Sequence, residues 1–242
     1  MVLAKTGAAT IGNMIINLLT MERFFKPFVG ANYQQGIRGK KILVLGASFY
    51  CDVVGCPHFG KCTDTSVKDS SLCNNCCPPY QKYGIPLSEN PTYAIEDGNT
   101  TYQRFATWMA QYAGTDDYDT IWSQLAFTNY VQFMLPAAPG HFRDTRWSDL
   151  SERDFHAFIE TLRELQPDIV IILGSVINSR LKEKNEYLVS ADTLRETEYY
   201  ICQLSVPGVE HTITLINPYH PSSSAWYGDL EKFNHYFKTL LK

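Results

Sequence analysis

The sequence predicts an α/β protein with a three-layer α/β/α arrangement and a mainly parallel central sheet of about four strands. One observation is a set of short, continuous apolar runs, a pattern typical of strands buried on both faces. These runs begin near residues 41, 126, 168 and 212. The other observation is at residues 168–175, where an apolar run typical of a strand is followed by Gly174 and Ser175. Serine often caps the start of a helix, so a helix is expected to follow this strand. A strand followed by a helix is the repeating unit of a parallel sheet.

Length and composition indicate one globular domain with an insertion. The chain has 242 residues, of which 45% are apolar, and its 21 basic and 25 acidic residues give a formal net charge of -4. These values allow a core of ordinary size and exclude a strongly basic nucleic-acid binder as a bulk property, although not a local basic patch. We expect residues 1–37 to form a helical lead-in and residues 38–242 to form a single α/β domain.

The sequence shows no sign of a membrane protein or a secreted protein. No apolar run is long enough to cross a bilayer. Residues 1–20 are mildly apolar, but Asn13 and Asn17 interrupt them and they have no clear cleavage site, so we expect no signal peptide. We therefore expect a cytoplasmic protein, whose start the sequence leaves open between Met1 and Met21.

The first predicted strand, Lys41–Leu45, organises the rest of the chain. It is nearly all apolar and too short for a stable helix. Gly46 and the small residues after it allow a backbone to approach a ligand closely. Because ligands of open parallel sheets bind beyond the carboxyl ends of the strands, we expect residues 46–52 to form the floor of a site.

A cysteine-rich insertion follows at residues 51–77 and contains six of the seven cysteines. In a reducing compartment, this density favours a metal site over disulfides. A four-thiolate zinc site would use Cys56, Cys62, Cys73 and Cys76, the last two forming a tight pair. An iron–sulfur cluster and a set of reduced, partly buried thiols are the alternatives.

Three helices and a weaker strand complete the predicted elements. The helices are expected at 101–113, 151–166 and 226–240, from apolar residues at helical spacing. The second helix opens with Ser151 and Asp154, which resemble a capping box, and Pro167 ends it. Residues 198–204 are expected to form an edge strand or one arm of a hairpin.

Polar residues follow three of the predicted strand ends, which a parallel sheet brings to one edge. They are Ser48 with Asp52, then Asn129, then Asn217 with His220 and Ser222. A histidine readily donates a proton or stabilises an anion near neutral pH. A buried asparagine must find hydrogen-bond partners, and either a ligand or a nearby turn can supply them.

The order and spacing of these motifs resemble the uracil-DNA glycosylase superfamily. That family has a Gly-led loop after the first strand, an Asn at the end of the next strand and a closing His-Pro-Ser motif. Residues 46–50, Thr128-Asn129 and His220-Pro221-Ser222 stand in those places. The first motif is also similar to a poorly characterised bacterial branch that reads Gly-Glu-Ser-His-Tyr and has cysteines just downstream. This chain has Ala47 and Phe49 where that branch has Glu and His.

The resemblance implies a DNA-repair hydrolase that cleaves the N-glycosidic bond of a flipped, damaged or deaminated base. Asn129 would bind the pairing edge of the base, and Tyr50 would exclude a 5-methyl group. His220 would stabilise the charge that develops on uracil O2, and Ser222 would hold a phosphate with neighbouring backbone amides. DNA or another nucleic acid is therefore the expected partner.

The same resemblance raises the question of which group activates water. Gly46, Ala47 and Ser48 would line the pocket, but common members of the family carry a carboxylate or amide at the positions of Ala47 and Ser48. Neither residue can act as that base, which leaves Asp52 as the nearby carboxylate.

Two other functions fit the same residues. A serine esterase with a flavodoxin-like sheet would use Ser48 as nucleophile, His220 as base and Asn129 as oxyanion donor. Asn217 would orient the histidine, where that class of enzyme prefers Asp. A non-catalytic nucleic-acid or nucleotide binding module would keep the fold and lack the base, as Ala47 suggests.

Overall fold

A computed structural model describes residues 23, 25–51, 91, 95, 100–132, 134–136, 145–184, 186–193, 200–223 and 230–242. The strands are β1 (Phe28–Val29), β2 (Ile42–Gly46), β3 (Phe49–Cys51), β4 (Leu125–Asn129), β5 (Met134–Pro136), β6 (Ile169–Ile172), β7 (Leu188–Thr193), β8 (Tyr200–Leu204) and β9 (Ile213–Ile216). The helices with described bounds are α1 (Thr100–Ala113), α2 (Tyr118–Ser123), α3 (Glu152–Leu165), α4 (Ser175–Lys182) and α5 (Leu230–Leu240). A 3-10 turn spans Trp147–Asp149.

Seven strands form the main sheet, in the order β1-β4-β2-β6-β9-β8-β7. The four central strands are parallel, and β1, β8 and β7 add antiparallel pairs at the two margins. The prediction of an α/β protein with a mainly parallel sheet is confirmed. The prediction of about four strands is wrong, because the sheet has seven in the described part of the chain. The marginal strands were missed because they are short or contain both polar and apolar residues, and therefore lack a continuous apolar run. The weaker strand expected at 198–204 is β8, one arm of a hairpin with β7.

The strand side chains alternate between two cores, one on each face of the sheet. The first core joins Ile42 and Val44 of β2 to residues of α1, α2 and α5, among them Phe105, Trp122 and Phe233. The second core joins Leu43 and Leu45 to residues of α3 and α4, among them Phe158 and Ile177. Consecutive residues of β2 therefore point to different helices, which explains why the strand is apolar throughout.

Local signals place the helices close to their expected bounds. Ser151 caps α3, and its reciprocal bonds with Asp154 form the predicted capping box. Ser175 is the first residue of α4 rather than its cap, a position that Gly174 occupies. The short helix α2 was not expected, and Asp117 caps it by accepting a hydrogen bond from Thr120 N at 2.9 Å. None of the described helices combines the length and the apolar composition that crossing a bilayer requires.

The described part of the 1–37 lead-in belongs to the main sheet. Within residues 25–37 the chain forms strand β1 and turns where we expected a helix. Phe28–Val29 pairs with β4, whose outer edge would otherwise have unpaired backbone groups. Tyr33 lies in the second core and Ile37 in the first. Residues 1–22 lie outside the described part of the chain.

Candidate functional site

The parallel strands β4, β2, β6 and β9 end at one edge of the sheet, here called the carboxyl edge. Asn129 ends β4 and is the register partner of Gly46, which ends β2. The contact between β2 and β6 continues one residue past β6, because Leu173 N donates to Leu45 O at 2.9 Å. Asn217 follows the last residue of β9. Gly46, Asn129 and Asn217, which the sequence placed at strand ends, are therefore at this edge.

The side chain of Asn129 lies directly over the backbone of Gly46. A Cβ atom at Gly46 would be 2.2 Å from Asn129 Oδ1 and 3.3 Å from Phe127 Cε2. A Cβ at that distance cannot coexist with the amide, so position 46 has no room for a side chain. Asn129 is only 4% exposed and lies on the same side of the sheet as the first core. Gly46 thus creates the space that the amide of Asn129 occupies.

Gln132 holds the backbone of Asn129 in place. Its Nε2 donates to Asn129 O at 2.9 Å, and its Oε1 accepts from Phe25 N at 3.1 Å. Its own backbone N donates to Asp154 Oδ1 at 2.8 Å. Gln132 was not among the residues expected at the site. The available signal was a polar residue inside the apolar segment that follows β4, because a buried amide requires partners.

Asp154 joins this strand end to the start of α3. Its side chain is 0% exposed, and its Oδ2 accepts from both N and Oγ of Ser151 at 2.8 Å. Burial raises the pKa of Asp154, while its hydrogen bonds with Gln132 and Ser151 act in the opposite direction. One carboxylate therefore accepts hydrogen bonds both from the cap of α3 and from the backbone that follows β4.

Ser48 and Tyr50 meet at Thr145. Ser48 Oγ lies 2.9 Å from Thr145 Oγ1, and Tyr50 OH lies 3.3 Å from the same atom. Tyr50 is held in β3, which pairs with β5 in a separate two-stranded sheet. Thr145 precedes the 3-10 turn and was not expected at the site, because nothing in its local sequence distinguishes it from other loop residues.

Ala47 points away from Asn129. Its side chain packs against the second core, and a Cβ at Gly174 would lie 3.7 Å from the Ala47 methyl group. This orientation follows from the alternation of β2, because Gly46 faces the first core and the next residue faces the second. Ala47 therefore contributes only a methyl group between the ends of β2 and β6.

The loop after β9 holds His220 by a compact set of hydrogen bonds. Asn217 Oδ1 accepts from Tyr219 N at 2.9 Å, and Tyr219 has a φ of 67°, a left-handed conformation that non-glycine residues seldom adopt. The carbonyl of His220 accepts from both N and Oγ of Ser223 at 2.8 Å. Arg104 of α1 donates to Pro221 O at 3.3 Å. The strained turn is thus fixed from both sides.

The hydrogen bonds of Ser222 assign the tautomer of His220. Ser222 N donates to His220 Nδ1 at 3.3 Å, and Ser222 Oγ lies 2.6 Å from the same nitrogen. A backbone N–H can only donate a hydrogen bond, so Nδ1 is the acceptor in this contact. The neutral ring then has its proton on Nε2. This contact makes Ser222 the group that orients the histidine, and its expected contact with a phosphate stays a prediction.

Asn129 and the His220 loop share one side of the sheet but end different strands. Tyr219 packs against the first core, on the side where Asn129 lies, and Arg104 reaches the loop from the same side. Strands β2 and β6 separate β4 from β9, so the two strand ends are about 14 Å apart. No hydrogen bond between described residues joins His220 to Ser48. Ser48 is instead within hydrogen-bond distance of Thr145, and His220 is within hydrogen-bond distance of Ser222.

Several predicted site residues fall outside the described part of the chain. They are Asp52 and the four cysteines of the expected metal site, Cys56, Cys62, Cys73 and Cys76. Among the residues that are described, no three His, Cys, Asp or Glu side chains are arranged to bind a metal ion. The cysteine site and the role of Asp52 remain predictions from the sequence.

Comparison with known proteins finds no matching protein-family model and no matching curated protein.

Proposed function

We propose that the protein is a uracil-DNA glycosylase-like hydrolase that cleaves the N-glycosidic bond of a flipped, damaged or deaminated base in DNA. The observation that carries the proposal is the orientation of His220 at the carboxyl edge. Ser222 occupies Nδ1, so Nε2 bears the proton and can donate to an oxygen on which negative charge develops. The motif resemblance identifies that oxygen as O2 of the base.

The finer architecture is part of the same proposal. We take the protein to be a three-layer α/β/α domain, in which α1, α2 and α5 form one outer layer and α3 and α4 form the other. Two separate cores with different helices support this arrangement. The flipped base would then enter at the carboxyl edge, on the side of the first core.

Recognition of the base is assigned to Asn129. Its side-chain amide offers both a donor and an acceptor, which is the pattern needed to bind the pairing edge of a base. It is buried over Gly46, and Gln132 fixes its backbone, so little freedom is left to lose on binding. Tyr50 and Ser48, which meet at Thr145, would form the wall on the other side of β2.

The proposed reaction begins with cleavage of the bond between the sugar C1′ and the base nitrogen. The electron pair leaves with the base, where His220 Nε2–H stabilises the charge on O2. Water then attacks the oxocarbenium-like sugar and forms a new bond between its oxygen and C1′. Its proton passes to Asp52, the carboxylate assigned to activate water, because Ala47 supplies none. If Asp52 takes no part, electrostatic stabilisation of the leaving base drives the reaction and the proton passes to solvent.

An excision assay tests this function. The substrates are single- and double-stranded oligonucleotides, each containing one modified base from a panel that includes uracil. His220→Ala should lower excision by about a hundredfold or more, because removing one preorganised donor to a developing anion has that effect. Asn129→Ala should mainly relax the choice of base. A purified protein that excises no base from any substrate would contradict the proposal.

A non-catalytic nucleic-acid binding module of the same fold is the second candidate. The orientation of Ala47 favours it, because a methyl group packed on the second core stands where the family commonly has an acid, base or amide. This candidate predicts DNA binding without excision. The Ser48–His220 esterase gains no support from the described contacts, in which Ser48 pairs with Thr145 and His220 with Ser222.

The cysteine-rich insertion keeps its proposed role as a zinc site, with an iron–sulfur cluster as the alternative. We expect elemental analysis of the purified protein to find about one zinc per chain, or an iron–sulfur absorbance. Substitution of Cys73 or Cys76 by Ser should reduce the metal content. A protein free of both metals would rule the site out.

A further inference from the structure

Trp147 is an exposed aromatic residue with a cation over its ring. It is 44% exposed, and the other large apolar side chains exposed in the described part of the chain are Val29 and Val189. A single exposed apolar residue needs no explanation. Two features distinguish Trp147 from the two valines: its backbone lies in a 3-10 turn closed by hydrogen bonds, and a cation lies over its ring.

Three hydrogen bonds close the 3-10 turn that carries Trp147. Arg146 N donates to Asp149 Oδ2 at 2.7 Å, Asp149 N donates to Arg146 O at 3.0 Å, and Leu150 N donates to Trp147 O at 3.1 Å. Leu150 then packs against the second core, which anchors the turn to the domain. The backbone under the indole is therefore set before any ligand arrives.

A cation lies over the indole ring. The guanidinium carbon of Arg180, on α4, is 5.6 Å from the centroid of the Trp147 ring. Arg180 in turn forms ion pairs with Glu152 and, at 3.3 Å, with Glu183. Because two carboxylates already compensate its charge, Arg180 serves to position the ring rather than to neutralise a phosphate.

The turn adjoins the candidate site. Thr145, two residues before Trp147, is the residue at which Ser48 and Tyr50 meet. Two residues of extended chain span about 7 Å at most. The backbone of Trp147 is therefore within about 7 Å of Thr145, the residue that contacts the wall of the proposed base pocket.

We propose that Trp147, backed by Arg180, is a stacking platform for an unpaired nucleobase that flanks the flipped base. This inference rests on the proposed function for its choice of nucleic acid as the partner. Aromatic rings stack on every base, so the platform binds single-stranded DNA with little sequence preference. Arg146 is the exposed basic residue of the turn, so among residues 145–150 one cation is available to contact a phosphate.

The test is binding of the full-length protein to short, fluorescently labelled single-stranded oligonucleotides. One probe is an oligodeoxyadenylate, and the other is an abasic oligonucleotide of the same length. Trp147→Ala should weaken binding of the oligodeoxyadenylate by about 10- to 100-fold, and should leave binding of the abasic probe unchanged. Trp147→Phe should retain most of the affinity because it keeps a ring.

Val189→Ala is the matched control, since it removes an exposed apolar side chain from β7 without touching the turn. Its affinity should equal that of the unsubstituted protein, and thermal melts should show that all variants fold. Equal affinity of Trp147→Ala and the unsubstituted protein for oligodeoxyadenylate would overturn the proposal. An equal loss for both probes would also overturn it, because stacking requires a base.

The probes contain no excisable base, so the two proposals can fail separately. Binding that depends on Trp147 in a protein without excision activity would support the platform and contradict the glycosylase. Excision together with binding that is independent of Trp147 would support the glycosylase and contradict the platform.

Discussion

At the scale of single residues, the site depends on the absence of a side chain at Gly46. Its φ is not in the left-handed region, so backbone conformation is not the reason for glycine at this position. The reason is the amide of Asn129, whose Oδ1 would lie 2.2 Å from any Cβ there. A residue without a side chain is therefore what allows the neighbouring strand to present a buried amide at the carboxyl edge.

We predict that Gly46→Ala displaces Asn129 and lowers the free energy of unfolding by about 1–3 kcal/mol, as overpacked sites do. Excision or base binding should weaken at the same time. Gly174→Ala is the control at the next strand end, where a Cβ meets nothing closer than 3.7 Å. It alters a helix cap and should lose less than about 1 kcal/mol. Urea unfolding measures both, and equal losses would contradict the steric explanation.

At the scale of elements, the start of α3 is tied to the end of β4 by one buried carboxylate. Asp154 completes the capping box of the helix and accepts from the backbone N of Gln132, whose side chain in turn holds Asn129. The capping box was predicted from the sequence, since its two residues are three positions apart. The bond to Gln132 was not, because it joins segments that only the folded sheet brings together.

We predict opposite pH dependences for the two acidic residues in the first turn of α3. Burial raises the pKa of Asp154, so the native protein binds a proton that the unfolded chain has released. Its contribution to the free energy of unfolding therefore falls as pH rises from the ordinary pKa of Asp to the raised one. The pKa of Glu152 is lowered, mainly by its hydrogen bond with Lys184. Its contribution is present above the ordinary pKa of Glu and is lost as pH falls.

Denaturation of Asp154→Asn and Glu152→Gln at a series of acidic to neutral pH values measures these contributions. Asp154→Asn should lose about 1–2 kcal/mol, because an amide nitrogen replaces an oxygen that accepts hydrogen bonds at the helix cap. That loss should shrink as pH rises, whereas the smaller loss in the exposed Glu152→Gln should grow. A loss in Asp154→Asn that grows with pH would show that its hydrogen bonds outweigh its burial.

At the scale of the whole molecule, the central strands were predictable and the site contacts were only partly so. Strands buried on both faces are apolar at every position, and β2, β4, β6 and β9 begin within a residue or so of the expected points. β1 has only two residues, and β7 carries an exposed valine and polar residues, so neither produces such a run. The site needed motif order as well as pattern. Thr145 was missed because Ser48 and Tyr50 are distant from it in sequence, and Gln132 because its contacts with Phe25 and Asp154 exist only in the folded chain.

The central claim is that Asn129 and His220, at the ends of strands about 14 Å apart, serve one base. Two side chains that extend towards each other, with a base between them, can cover that gap. The most direct test is nuclear magnetic resonance during titration with uracil, followed at the side-chain amide of Asn129 and the imidazole ring of His220.

We predict that both signals shift along a single binding curve, and that Gly46→Ala weakens binding while Gly174→Ala does not. The free protein should show the neutral imidazole with its proton on Nε2. Movement of only one of the two signals, two different binding curves, or a proton on Nδ1 in the neutral ring would contradict the account of a single base site at the carboxyl edge.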